Sequence, residues 1–107
     1  MAAQLFVIVH HRGPNWQPGV PYLEQPALGG HIGFMRSLEE RGLMVLGGPY
    51  ADDDSPDGIV GMAIIRAADH AAAEAVAAED PSLAAGLIVA RVRPWRAVMG
   101  DALATEG

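Results

Sequence analysis

Apolar residues fall in short runs along the chain, and the spacing inside each run predicts its element. Gln4 to His10 is apolar and rich in β-branched residues, which predicts a first, central strand. Arg12 to Pro26 holds four prolines and two glycines, a composition that excludes regular structure. Its Trp16, Tyr22 and Leu23 need a surface to lie on, so the loop is expected to be ordered and to form one wall of a cleft. Ala27 to Arg41 repeats apolar residues at helical spacing (Ile32, Met35 and Leu38, with Phe34 beside them), and Gly42 stops the helix. His31 shares that stripe with Met35 and Leu38 and therefore points inward.

The remaining runs complete the pattern. Leu43 to Tyr50 and Ile59 to Arg66 predict two strands, antiparallel across an acidic turn from Ala51 to Gly58. Asp69 caps an alanine-rich helix over Ala71 to Ala78, which Asp80-Pro81 ends. Ser82 to Gly86 makes one more helical turn. Leu87 to Arg93 predicts the last strand, closed by Pro94 and Trp95, with a short edge strand expected over Arg96 to Met99. Residues 1–100 are read as one domain and 101–107 as a frayed tail.

The order β-α-β-β-α-β predicts an α+β, ferredoxin-like fold: an antiparallel sheet with both helices on one face. The strands are apolar on both sides, so the uncovered face implies a partner, and a homodimer packed sheet to sheet is expected. The two helices are expected to run in the same direction. That would place the head of the first and the tail of the second at opposite ends. A contact between them would then require the following segment to fold back, or the dimer mate to supply one residue.

Composition removes whole classes of chemistry. The chain has 107 residues, 7 basic against 13 acidic, a net charge of −6 and a pI near 4.9. A nucleic-acid footprint requires a basic patch, so nucleic acid is excluded as the expected partner. There is no Cys and no Lys, all seven basic residues being Arg. Thiol nucleophiles, thiolate metal sites, Walker A loops and Schiff-base chemistry go with them. His10 and His11 are neighbours on a strand and point to opposite faces, so they do not chelate as a pair. Asp52, Asp53 and Asp54 lack the glycine of a calcium loop, where Asp57 stands instead. No metal and no cofactor are expected. The N-terminus lacks a charged leader and no apolar run spans a bilayer, so a cytoplasmic, membrane-free protein is expected.

The acid–base candidates are His31, Asp80, Glu24 and the acidic turn over 52–57, with His31 first among them. His31 lies at the head of a helix, faces inward and adjoins the Pro-rich aromatic loop. Asp80 sits where a helix ends, an unfavourable place for a carboxylate unless something holds it there. Arg12 is a candidate for an anionic substrate group. Arg91 and Arg93 share one strand face and are expected to meet carboxylates or solvent.

Taken in order, His10-His11-Arg12-Gly13-Pro14-Asn15-Trp16, His31, Gly47-Gly48-Pro49, Asp80-Pro81 with Ala84-Ala85-Gly86, and Val92-Arg93-Pro94-Trp95 resemble the YCII-related family. The resemblance implies a dimeric ferredoxin-like fold of the α/β-barrel type, similar to muconolactone isomerase. It also implies a His–Asp active-site pair, carried here by His31 and Asp80. Some relatives act on hydroxylated aromatic rings or their chlorinated derivatives. On this basis the chain is expected to be a small cofactor-independent lyase- or isomerase-type enzyme. Arg12, Trp16, Tyr22, Gly48 and Pro49 would surround a small-molecule substrate. The alternative is a non-catalytic small-molecule-binding or regulatory homodimer. Ser82 stands where the family usually carries a bulky aromatic residue.

Overall fold

Four strands form one antiparallel sheet in a computed structural model that describes residues 4–52 and 54–100. The tail over 101–107 and Asp53 of the acidic turn lie outside the described residues. The strands are β1 (Gln4–Arg12), β2 (Met44–Pro49), β3 (Ile59–Ala67) and β4 (Ile88–Trp95), in the spatial order β2-β3-β1-β4. The register places Phe6 opposite Ile65 and Pro94, and Ile8 opposite Ala63 and Val92. These side chains meet Phe34 and Leu38 of α1 (Leu28–Glu40) and Ala73 and Ala77 of α2 (His70–Ala77) in a single buried cluster. Both helices therefore cover the same face, and the architecture is ferredoxin-like. Each large apolar side chain buried there contributes about 1.5–3 kcal/mol. Asp69 caps α2 by accepting a hydrogen bond from the N–H of Ala72 at 2.8 Å.

The helices do not run in the same direction. Because β1 and β3 are antiparallel, the chain leaves them from opposite ends of the sheet, and α1 and α2 run antiparallel to each other. The head of α1 and the segment after α2 consequently lie at one end. A third helix, α3 (Pro81–Ala84), packs against α1 there. Gly30 allows the approach: a Cβ on it would stand 2.9 Å from Cγ of Pro81. No second subunit is needed to bring His31 and Asp80 together.

The loop after β1 is ordered by its own polar residues. Buried Gln25 accepts a hydrogen bond from the N–H of Gln17 and donates to the carbonyls of Gln17 and Val20. Tyr22–Glu24 forms a turn of 3₁₀ helix within it. Trp16 packs with Leu28, Val60, Leu87 and Ile88 in a second buried cluster. β1 runs two residues further than expected, through His11 and Arg12. No edge strand forms over Arg96 to Met99. The last pair of the ladder is Leu5 with Trp95, so among the described residues only Gln4 remains on β1 beyond it.

The other sheet face carries half-buried Leu5, Val7, Val9, Met62 and Ile64, with exposed Leu46, Val89 and Trp95 at its margins. Arg91 and Arg93 are exposed on the same face of β4. Among the described residues, no helix is long and apolar enough to cross a membrane.

Candidate active site

At the end of the sheet where α1 begins, Nδ1 of His31 stands 2.6 Å from Oδ2 of Asp80. Both residues are buried, at 2% and 3% exposure. The other carboxylate oxygen, Oδ1, accepts the backbone N–H of Ser82 at 2.9 Å, so Asp80 also caps α3. Burial pushes the Asp80 carboxyl upward. The hydrogen bonds from His31 and Ser82 outweigh it and hold the group below its ordinary value. Asp80 is thus an anion that fixes the imidazole, with Nδ1–H as donor. Nε2 of His31 is left for a ligand.

His31 opens onto a cleft of about 260 Å³ between α1, the loop and the ends of β2 and β3. Its walls are mostly apolar, with Tyr22, Ile32, Met35, Met44 and Val60 among them. Gly48 and Pro49 of β2 form part of the floor. Arg36 and Glu39 of α1 line it as well, and both are exposed. Burial, then the Asp80 carboxylate, raises the Tyr22 phenol above its ordinary value, so it keeps its proton at neutral pH.

Of the residues expected to surround a substrate, Tyr22, Gly48 and Pro49 line this cleft. Arg12 and Trp16 do not. Nη2 of Arg12 donates to the carbonyl oxygen of Ser55 at 2.6 Å. With Trp16, Pro18 and Asp52 it borders a separate cavity of about 650 Å³ on the other side of the loop. The extension of β1 explains the displacement, because Arg12 is fixed in the strand and its N–H bonds to the carbonyl of Gly58. The cationic residue on the His31 cleft is Arg36.

A profile of the YCII-related domain matches residues 5–96. The chain belongs to the YCII-related family. Among solved structures it is similar to the 5-chloro-2-hydroxyhydroquinone dehydrochlorinase of Burkholderia phenoliruptrix AC1100 in complex with 2,5-dihydroxybenzoquinone. The TM-score is 0.62 and the identity 21%, over 88% of this chain and 95% of that one. At that identity the likeness shows a shared fold. No curated protein matches the sequence.

His10 and Arg36 line this YCII-related site and were not expected there from the sequence. His10 is 2% exposed, lines the cleft and meets the His31 ring edge to face, with centroids 4.8 Å apart. A β-bulge between His10 and His11 locally shifts the register of β1 against β3. The alternation of β1 with Phe6 and Ile8 carried the signal, since it puts His10 on the helix-covered face. Ser82 is buried beside Asp80 and does not line the cleft, so its small side chain does not widen it.

His10, His31 and Asp80 offer one donor atom each within 4.8 Å of one another, the composition of a cation site. Their spacing fits it poorly. Neighbouring ligands roughly 2.0–2.2 Å from a tetrahedral zinc ion lie about 3.3–3.6 Å apart, whereas the 2.6 Å between His31 Nδ1 and Asp80 Oδ2 is the length of a charge-assisted hydrogen bond.

Burial, followed by the nearby His31, lowers the pKa of His10 from 6.5 to about 4. Between those values the unfolded chain binds a proton that the folded chain refuses, so stability falls as the solution is acidified. The expected loss between pH 7 and pH 4 is about 3 kcal/mol. Asp80 adds to the decline only below its ordinary 3.8, which leaves the upper window to His10. Urea unfolding at both pH values should show the slope in the wild type and a flatter one in His10→Phe. Equal slopes would contradict the assignment.

Proposed function

We propose that this chain is a cofactor-independent acid–base enzyme acting on a small hydroxylated ring. The observation that carries the reading is the buried His31–Asp80 pair at 2.6 Å, opening onto a small, largely apolar cleft. Nε2 of His31 takes a proton from a hydroxyl or carbon of the substrate. Asp80 holds Nδ1–H and stabilises the imidazolium that results. Apolar walls accept the face of a ring, and Arg36 offers a charge to an anionic substituent at the mouth. The structural neighbour is a dehydrochlorinase in complex with 2,5-dihydroxybenzoquinone, which supports this substrate class.

The test is a turnover screen over hydroxylated and chlorinated rings, following proton exchange and chloride release, with wild type, His31→Asn and Arg36→Gln. The expected result is turnover that depends on His31, and a raised KM with little change in kcat in Arg36→Gln. Turnover of the same substrates by His31→Asn at the wild-type rate would refute the base. Ring ligands that bind without turning over would favour the non-catalytic alternative.

The open sheet face is proposed as the contact of a C2 homodimer. Sedimentation at micromolar concentration should give twice 11.2 kDa, and a monomer would rule the contact out.

A further inference from the structure

We infer that His10 is a second ligand-binding imidazole of the cleft, giving a hydrogen bond to a ligand oxygen while remaining uncharged. Nε2 of His10 is buried and has no hydrogen-bond partner. Buried polar atoms are nearly always paired, and a Phe or Leu would fill this position of β1 without leaving one unmet. Packing does not explain the choice of residue, because Phe6 and Ile8 serve the same strand face as plain apolar groups. The ring also lines the cleft and lies against His31, so its unmet capacity stands beside the proposed base.

The surroundings fit a neutral donor. Burial, His31 and His11 oppose a charge on His10, and only Asp80 favours one. Once His31 has taken a proton, a second imidazolium beside it would be repelled. A neutral N–H avoids that repulsion and can stabilise the oxyanion formed on the ligand. The role fixes the tautomer, with the hydrogen on Nε2. Together the two rings define the ligand class: a small ring whose oxygen reaches both, one imidazole receiving its proton and the other steadying the charge left behind.

The inference takes only the ligand's chemistry from the proposed function, and binding tests it without turnover. The probe is 4-nitrocatechol, whose visible absorption reports ionisation of its hydroxyl. Wild type, His10→Phe, His10→Gln and His31→Asn are titrated with it, and nitrogen shifts of labelled histidine are followed by NMR. Loss of a hydrogen bond to an ionised oxygen weakens binding by roughly 10–100-fold, and that is expected in His10→Phe. His10→Gln, which keeps an amide donor near the position of Nε2, should recover most of it. The Nε2 resonance of His10 should move on saturation in wild type and also in His31→Asn. Equal affinity of His10→Phe and wild type overturns the inference, as does a wild type that fails to bind the probe. If turnover depends on His31 while His10→Phe binds normally, the acid–base reading stands and this one falls. If turnover ignores His31 while His10→Phe loses the probe, the reverse holds.

Discussion

His31→Asn is expected to slow turnover by about 10²–10⁴-fold in a protein that remains folded, whereas His31→Ala is expected to fail first as a fold. The Asn amide nitrogen can occupy the place of Nδ1 and keep the bond to Asp80, but it cannot accept a proton. Ala leaves the Asp80 carboxylate buried without its partner. Removing one member of a buried pair destabilises by about 3–5 kcal/mol. Burial is then opposed only by hydrogen bonding from Ser82 and the carboxyl's pKa rises from its wild-type position, so the deficit of His31→Ala should shrink as the pH is lowered and Asp80 takes up a proton. Asp80→Ala removes the charge itself. It forfeits a hydrogen bond and the cap of α3, roughly 1–3 kcal/mol. Chemical denaturation of the three variants at pH 7 and pH 5 checks the order. A smaller loss in His31→Ala than in Asp80→Ala at pH 7 would contradict it.

Gly13→Ala is expected to cost about 2–4 kcal/mol, a Tm reduction of roughly 10–25 °C for a domain of this size. A Cβ at this position would lie 2.3 Å from the carbonyl oxygen of Gly86 and 2.9 Å from the carbonyl carbons of Gly86 and Leu87. None of these backbone atoms can swing away. They are tied by hydrogen bonds from Gly13 N–H to Leu87, from Asn15 N–H to Gly86, and from the Asn15 amide to Ala85, at 2.8–2.9 Å. Relieving the clash means breaking that set, and with it the seat of the loop over the second core cluster. Gly29→Ala is the control. Nothing lies within 4 Å of its Cβ position on α1, and Ala there should stabilise by about 0.5–1 kcal/mol. Thermal melts that rank Gly13→Ala beside Gly29→Ala would sink the argument.

Local pattern carried most of the fold. Alternation at Phe6, Ile8, Ala63 and Ile65 and helical spacing at Phe34 and Leu38 each reflect burial against one layer, which periodicity reports directly. His31 was legible for the same reason. What failed needed relations between elements. The direction of α2 follows from β3 being antiparallel to β1, a relation between two strands that lies outside the periodicity of either helix. Arg12 looked like a loop cation because Gly13-Pro14 obscured how far β1 extends. Along the sequence His10 stands beside His11, from which the strand turns it away. The partner that matters, His31, is 21 positions away and comes into reach only when helix packs on sheet. Arg36 sits on the exposed side of the helical stripe, where a solvated arginine and a cleft-lining one look alike.

The two imidazoles stand on elements of very different local stability. β1 is paired on both sides over most of its length, so freeing His10 means opening the centre of the sheet, at a cost near that of global unfolding. α1 begins at Ala27 in a left-handed conformation (φ 70°) with no side-chain cap, and two glycines follow Leu28. Such a helix end frays at a small fraction of that cost. Native-state amide exchange should therefore be fast over residues 28–31 and slow over residues 6–10; similar rates in the two segments would contradict this. The cleft thus sets one imidazole on the centre of the sheet against another on a helix end, and the backbones that carry them differ in how readily they open.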